Sequence, residues 1–236
     1  MGLHQTAVII GVGPGLGAAL ARRFACGGFK VGLVARRPDF INELARELSV
    51  CGVGSLAVVA DVSQPHEVTS MVNRVRTELG PIGVLIFNAS DSSGDGLLGT
   101  TPTAFEAAWR VGSLGAFVSA QATAPDMLAA GEGAMFFTGA TSSVRGGGWL
   151  AFSSAKFALR GLVQSLAREL WPKGIHIAHI LVDGIISSTD SPADSATDPA
   201  LEPEHMAEAY WQLAHQHRSA WTLELDLRPS AEQFFV

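Results

Sequence analysis

The chain reads as an α/β protein, a doubly wound parallel sheet of about seven strands flanked by helices, on three observations. Short β-branched apolar runs alternate with longer amphipathic stretches along the sequence. The first apolar run, residues 7–10, ends in a turn crowded with glycine, Gly11-Val12-Gly13-Pro14-Gly15-Leu16-Gly17. No internal repeat and no linker divides the 236 residues, so one domain over 1–236 is expected.

Each element follows from its own pattern. Residues 7–10 are apolar and β-branched, as a strand covered on both faces requires. From Gly15 to Cys26 the period becomes helical, with Leu16, Leu20 and Phe24 four apart on one face. A strand over Lys30–Ala35 follows, then a helix marked by Phe40, Ile41, Leu44 and Leu48. Residues 56–60 form the third strand. Val68, Met71, Val72, Val75 and Leu79 line the next helix, which stops at Gly80-Pro81. Val84–Phe87 is the fourth strand, and a Gly/Ser/Asp-rich loop covers 90–99.

The remainder repeats the alternation. One long helical region spans about 103–130, a fifth strand 134–138, a helix Leu150–Leu170 and a sixth strand Ile175–Val182. Residues 187–204 break the pattern with Ser, Asp, Pro and Ala. Their position after the sixth strand suits either a lid over a cleft or a solvated loop. A short helix over 204–215 and a strand over 221–227 close the chain.

Composition excludes several classes. With 47% hydrophobic and 16% charged residues the chain is expected to fold rather than remain disordered. A net charge of −6 argues against a nucleic-acid partner. Cys26 and Cys51 are too few for a disulfide framework and read as buried or half-exposed thiols. No apolar stretch is long enough for a bilayer and no secretory leader pattern opens the chain, so a cytoplasmic protein without membrane contact is expected. His176 and His179, three apart on a strand, face opposite sides, and no metal site is expected. His215 and His217 read as surface residues. Trp149, Trp211 and Trp221 read as packing or oligomer-interface residues, and Tyr210 as a packing residue, with a reach into the cleft as its alternative.

The glycine turn carries the first chemical signal. Gly11, Gly13, Gly15 and Gly17, with Leu16 opening the helix, let backbone N–H groups approach a pyrophosphate at a helix N-terminus. The second strand ends in Ala35-Arg36-Arg37, with no acid there to hold a ribose 2′-hydroxyl. Guanidinium groups suit a 2′-phosphate, which favours NADP(H) as cofactor.

Further motifs follow: Asp61-Val62, Asn88-Ala89-Ser90, Phe152-Ser153-Ser154-Ala155-Lys156 and Asp183-Gly184. In combination with the glycine turn they resemble the short-chain dehydrogenase/reductase family, from residue 7 to about 188. The resemblance implies a Rossmann-like fold and a small-molecule substrate. Asp61 would meet the adenine, Asn88 and Ala89 would line the adenosine side, and Lys156 would bind the nicotinamide ribose. Gly184, Ile186 and Ser188 would stand beside the nicotinamide amide. A homodimer or homotetramer built on the helices near 103–130 and 150–170 is also implied.

The family's proton-handling set is altered. Phe152 stands where its catalytic tyrosine belongs, one helical turn before Lys156, and a phenyl ring has no proton to give. Gly112 or Ser113 falls at its asparagine and Gly139 at its serine. Thr141, Ser142 or Ser153 could supply a replacement hydroxyl. The expected function is NADP(H)-dependent hydride transfer to a small carbonyl or imine through a noncanonical catalytic group set. The alternative is a noncatalytic NADP(H)-binding sensor or scaffold.

Overall fold

Burial in a parallel sheet is what the apolar runs were built for, and in the computed structural model each becomes a strand. The structure describes residues 5–92, 96–187 and 200–230. The strands are β1 (Thr6–Ile10), β2 (Lys30–Ala35), β3 (Ser55–Val59), β4 (Val84–Phe87), β5 (Gly133–Thr138) and β6 (Ile175–Val182). A separate pair, β7 (Ile185–Ile186) and β8 (Ala200–Leu201), precedes the last strand, β9 (Glu224–Leu227). The main sheet has seven strands in the order β3-β2-β1-β4-β5-β6-β9, all parallel. Strand order reverses between β1 and β4, which opens a crevice beyond their carboxyl ends.

Helices cover both faces: α1 (Leu16–Cys26), α2 (Pro38–Val50), α3 (Pro65–Leu79), α4 (Gly96–Gly99), α5 (Pro102–Trp109), α6 (Gly115–Ala130), α7 (Leu150–Leu170) and α8 (Pro203–Ala214). The two-residue period of β1 divides the core. Ala7 and Ile9 pack with α1, α2 and α8, while Val8 and Ile10 pack with α3, α6 and α7.

Several expectations are corrected. The helical region near 103–130 is two helices joined by a π-helical turn, Arg110–Leu114. Two close approaches accompany that turn. A Cβ on Gly112 would lie 3.2 Å from that of Ala155, and one on Gly115 would lie 2.8 Å from the Val62 carbonyl oxygen. Ser113 Oγ donates to Ala155 O at 2.9 Å and ties the turn to α7. A residue inserted into the helix thus lets it touch two neighbours that a straight helix would meet only in part.

The loop at 90–99 contains α4. Cys26 and Cys51 are exposed, because they end α1 and α2 rather than face the core. The closing strand begins at Glu224, since Trp221 instead stacks on His176 at 4.9 Å and donates its indole N–H to Gln216 O. Residues 188–199, most of the proposed lid and including Ser188, lie outside the described residues. Among the described residues no helix is long and apolar enough to cross a membrane.

Candidate active site

The crevice at the β1–β4 reversal holds a cavity of about 540 Å³. Its floor is made by glycine. Gly11 takes φ of 90°, and a Cβ there would fall 2.5 Å from the Ala89 nitrogen. Asn88 locks this approach, its Nδ2 donating to Gly11 O at 3.0 Å and its backbone N–H to Ile10 O at 2.8 Å. At Gly13 a Cβ would meet nothing within 4 Å, so this residue leaves the cavity open. Gly15 caps α1, and Gly17 packs with its Cβ position 2.7 Å from Val12 Cα. Leu16 is buried, so its place in the site comes down to backbone.

Most of the residues singled out from the sequence meet here. Arg36 and Arg37 line the cavity beyond β2, with Asp61 and Val62 beyond β3 and Ala89 beyond β4. Asp61 is oriented by its neighbours: Oδ1 accepts from Ser63 N at 2.9 Å, and its own N–H donates to Glu67 Oε2 at 2.8 Å. Asp39 also lines the cavity, a carboxylate that sequence reasoning passed over because it follows the Arg-Arg pair inside the first turn of α2.

A second group of polar residues sits at the ends of β5 and β6. Lys156 is 3% exposed, and Nζ donates to Thr138 O at 2.8 Å. Burial pushes its pKa down to about 8. The Phe152 ring lies 5.5 Å from Nζ and meets Trp149 edge-on. The chain's only tyrosine, Tyr210, is fully buried and pairs its hydroxyl with Thr138 Oγ1 at 2.8 Å, with burial raising its pKa.

The candidate hydroxyls part company. Thr141 Oγ1 donates to Asp183, and Asp183 also pairs with Arg228. That proton is therefore already committed to a carboxylate. Ser142 is buried, and Ser153 Oγ accepts a long bond from Gly147 N at 3.4 Å. Gly184 turns the chain away from β6 at φ of 143°, with its Cβ position 2.9 Å from Pro229, and Ile186 pairs with Leu201 in the small sheet.

One cluster was missed by sequence reasoning, which had weighed His179 only as a metal ligand. A Cβ on Gly139 would lie 2.1 Å from His179 Nε2. The imidazole is 1% exposed, with Nδ1 at 3.0 Å from Glu224 Oε1 and Nε2 at 3.2 Å from Ser143 Oγ. Arg160 holds Glu224 through two bonds of 2.7 and 2.8 Å. Burial above all, against the pull of Glu224 and with smaller contributions from Lys156 and Arg160, lowers the pKa of His179 to about 4. Only the pairing of Gly139 with a histidine on β6 could have flagged this cluster, and their contact is tertiary. Among the described residues no three His, Cys, Asp or Glu side chains converge as a metal site.

The glycine floor, the switch-point cavity and a buried lysine on α7 define a pattern that a known family model matches over residues 5–200, that of the short chain dehydrogenases. The chain belongs to this short-chain dehydrogenase family. A short-chain dehydrogenase/reductase of Armillaria gallica is 32% identical over 178 residues, 73% of this chain and 68% of the relative. A crystal structure of a short-chain dehydrogenase from Rhodopseudomonas palustris is 40% identical, with a TM-score of 0.83 over 95% of this chain and 98% of that one. L-Sorbose reductase of Gluconobacter frateurii, solved with NADPH and L-sorbose, is 26% identical with a TM-score of 0.88, over 97% of each chain. As a short-chain dehydrogenase the protein is an oxidoreductase by family, and its seven-stranded sheet is the family's.

Proposed function

We propose that the protein is an NADP(H)-dependent reductase that delivers hydride to a small carbonyl or imine carbon, with Phe152 in the place of the family's tyrosine. The observation that carries this reading is Lys156. An ammonium held 3% exposed against a single carbonyl is costly, and an apolar side chain would pack there without that cost. The residue makes sense as a clamp for ribose hydroxyls.

The residues at the crevice fit a dinucleotide. Gly11 and Val12 donate their N–H groups to Val34 O, which leaves the later part of the turn, at the start of α1, to offer backbone N–H groups to a pyrophosphate. The open space over Gly13 admits it. Arg36 and Arg37 line the same cavity with guanidinium groups that suit a 2′-phosphate, and similar proteins were solved with NADP or NADPH. NADPH, when bound, supplies the hydride. Asp61 and Val62 orient the adenine end, and Gly184 and Ile186 border the nicotinamide end of the same reading. Exposed Phe105, Trp109, Phe117 and Phe157 on α5, α6 and α7 support a homodimer or homotetramer.

Two measurements test this reading. Arg36→Ala should weaken NADPH binding roughly 10- to 100-fold, the worth of one charge-assisted contact, and leave NADH unchanged. Titrations followed by nicotinamide fluorescence read both, and equal losses for the two cofactors would remove Arg36 from the 2′-phosphate. Turnover is then measured over ketone, imine and enone panels. Phe152→Tyr should raise ketone reduction by about 10²-fold, since it returns a general acid beside Lys156. Tight NADPH binding without turnover in either form would favour a noncatalytic sensor or scaffold.

A further inference from the structure

The first turns of α7, which carry Phe152 and Lys156, adjoin the dinucleotide cavity. Phe87 on β4 pairs in register with Phe137 on β5, so Thr138 lies beside Asn88 of the cavity wall, and Lys156 Nζ donates to the Thr138 carbonyl. Val111 lines the cavity too, and its turn is tied to α7 by the bond from Ser113 to Ala155 O. What α7 presents at this place is aromatic. The half-buried Phe152 ring stands 5.5 Å from Lys156 Nζ and 6.3 Å from the Trp149 ring, edge to face. Trp149 is 58% exposed, and a Cβ on Gly146, Gly147 or Gly148 just before it would meet nothing within 4 Å. A flat apolar molecule thus has an open approach and two aromatic rings to lie against.

Most protons near this surface are already placed. The Thr138 and fully buried Tyr210 hydroxyls bond each other, Thr141 donates to Asp183, and Ser113 donates to Ala155 O. Ser143 Oγ is held between Ala140 N and His179 Nε2. Ser153 sits about 100° around the helix from Phe152 and faces Gly147 N instead. Ser142 is buried on the turn after β5. Lys156 directs its ammonium to Thr138 O and, in the reading above, to ribose hydroxyls.

Hydride acceptors differ in what they ask of such a site. A ketone carbon takes the hydride pair from the dinucleotide, the C=O π pair moves onto oxygen, and an alkoxide forms that needs a proton. Negative charge then appears beside a phenyl ring, where it is poorly solvated. An iminium carbon takes the same pair, the C=N π pair moves onto nitrogen, and a neutral amine results. The two electrons that reduce the substrate are those the dinucleotide loses, and the positive charge passes from substrate to nicotinamide. No proton enters and no new charge appears. The Lys156 ammonium opposes a cation at this place, so the choice rests on the missing proton rather than on attraction to positive charge.

We propose that the protein reduces iminium cations, flat cyclic ones in particular, in preference to ketones. The proposal rests on the reductase reading above and decides between its two acceptors. Phe152 is then a specificity-determining residue, which packs against the flat substrate and withholds the proton that a ketone requires. Trp149 extends the same apolar surface. A secondary imine reaches the site already protonated from solution, and a quaternary iminium needs no proton at all.

The test sets an N-methyl dihydroisoquinolinium against a tetralone, a ketone of the same bicyclic shape, with NADPH consumption as readout and the protein-free rate subtracted. Wild type should turn over the iminium and scarcely the ketone. Phe152→Tyr corrects for the iminium's greater intrinsic reactivity: it should raise ketone turnover by about 10²-fold and leave the iminium rate within about threefold. The iminium rate should be flat from about pH 6 to 7.5, below the point at which Lys156 loses charge near pH 8. Binding is read apart from turnover with an N,N-dimethyl tetrahydroisoquinolinium, which has no C=N bond to reduce. Calorimetric titration of the NADPH complex should give a Kd about fivefold higher in Trp149→Leu, the worth of one aromatic contact. An unchanged Kd would remove Trp149 from the surface and overturn the preference for flat cyclic substrates. Wild-type ketone turnover that is lost in Ser142→Ala or Ser153→Ala would reveal a resident proton donor, overturning the proposal and leaving the reductase intact. An iminium rate that rises in Phe152→Tyr as much as the ketone rate would overturn it as well. A wild type that binds NADPH and consumes neither acceptor would overturn both readings.

Discussion

Gly139→Ser is expected to destabilise the protein by about 3 kcal/mol and to bring no gain in turnover, although it puts a hydroxyl at the position that the resemblance assigns to the family's serine. The cause is steric. A Cβ at 139 would lie 2.1 Å from His179 Nε2 and 2.4 Å from Cε1, far inside van der Waals contact. The ring has nowhere to go, because Glu224 holds one nitrogen at 3.0 Å and Ser143 the other at 3.2 Å. Arg160 in turn fixes Glu224. Adding His179→Ala to Gly139→Ser should recover much of the loss. Urea denaturation of the two single variants and the double variant then gives a coupling energy of at least about 1 kcal/mol. Additive losses would mean that the two residues do not share the space.

Lys156→Met is expected to make the free protein more stable at pH 7 by about 1–2 kcal/mol while abolishing NADPH binding or turnover. Desolvation lowers the lysine pKa to about 8, and each unit of such a shift corresponds to about 1.4 kcal/mol. The sign follows from proton counts. Above pH 8 the folded lysine has lost its proton while the unfolded one retains it, so wild-type stability rises with pH up to the ordinary lysine range. Below pH 8 the full cost of the buried charge is present. Methionine removes that cost, offset in part by the lost bond to Thr138 O. Denaturation at pH 7 and pH 10 checks both halves, since the variant should lack the alkaline rise. A variant less stable at pH 7 would show that the ammonium is repaid within the fold.

The fold was legible because its signals are local. Residues 7–10 are apolar at every position, and only a strand covered on both faces asks for that; both faces of β1 are indeed buried. The glycines at 11 and 17 are required by approaches of 2.5 and 2.7 Å to neighbouring backbone, and glycine spacing records such approaches directly. Arg36, Asp61 and Asn88 were found for the same reason, since each follows a strand that ends at the crevice. Boundaries failed where side chains from afar decided them. The π-helical turn at Arg110–Leu114 sits where Gly112 and Ser113 meet α7, and helical period alone does not register a neighbour 42 residues away.

The catalytic half divides along the same line. Sequence alone determined that no tyrosine precedes Lys156, that arginines follow β2, and that glycine stands at 112 and 139, because residue identity and short-range spacing are covalent facts. Only the tertiary structure decided what fills the space over Gly139, where the Thr141 proton goes, and that Lys156 is buried. Those answers come from His179, Asp183 and Thr138, on strands and turns that lie far apart in the chain and meet only when the parallel sheet sets the ends of β5 and β6 side by side.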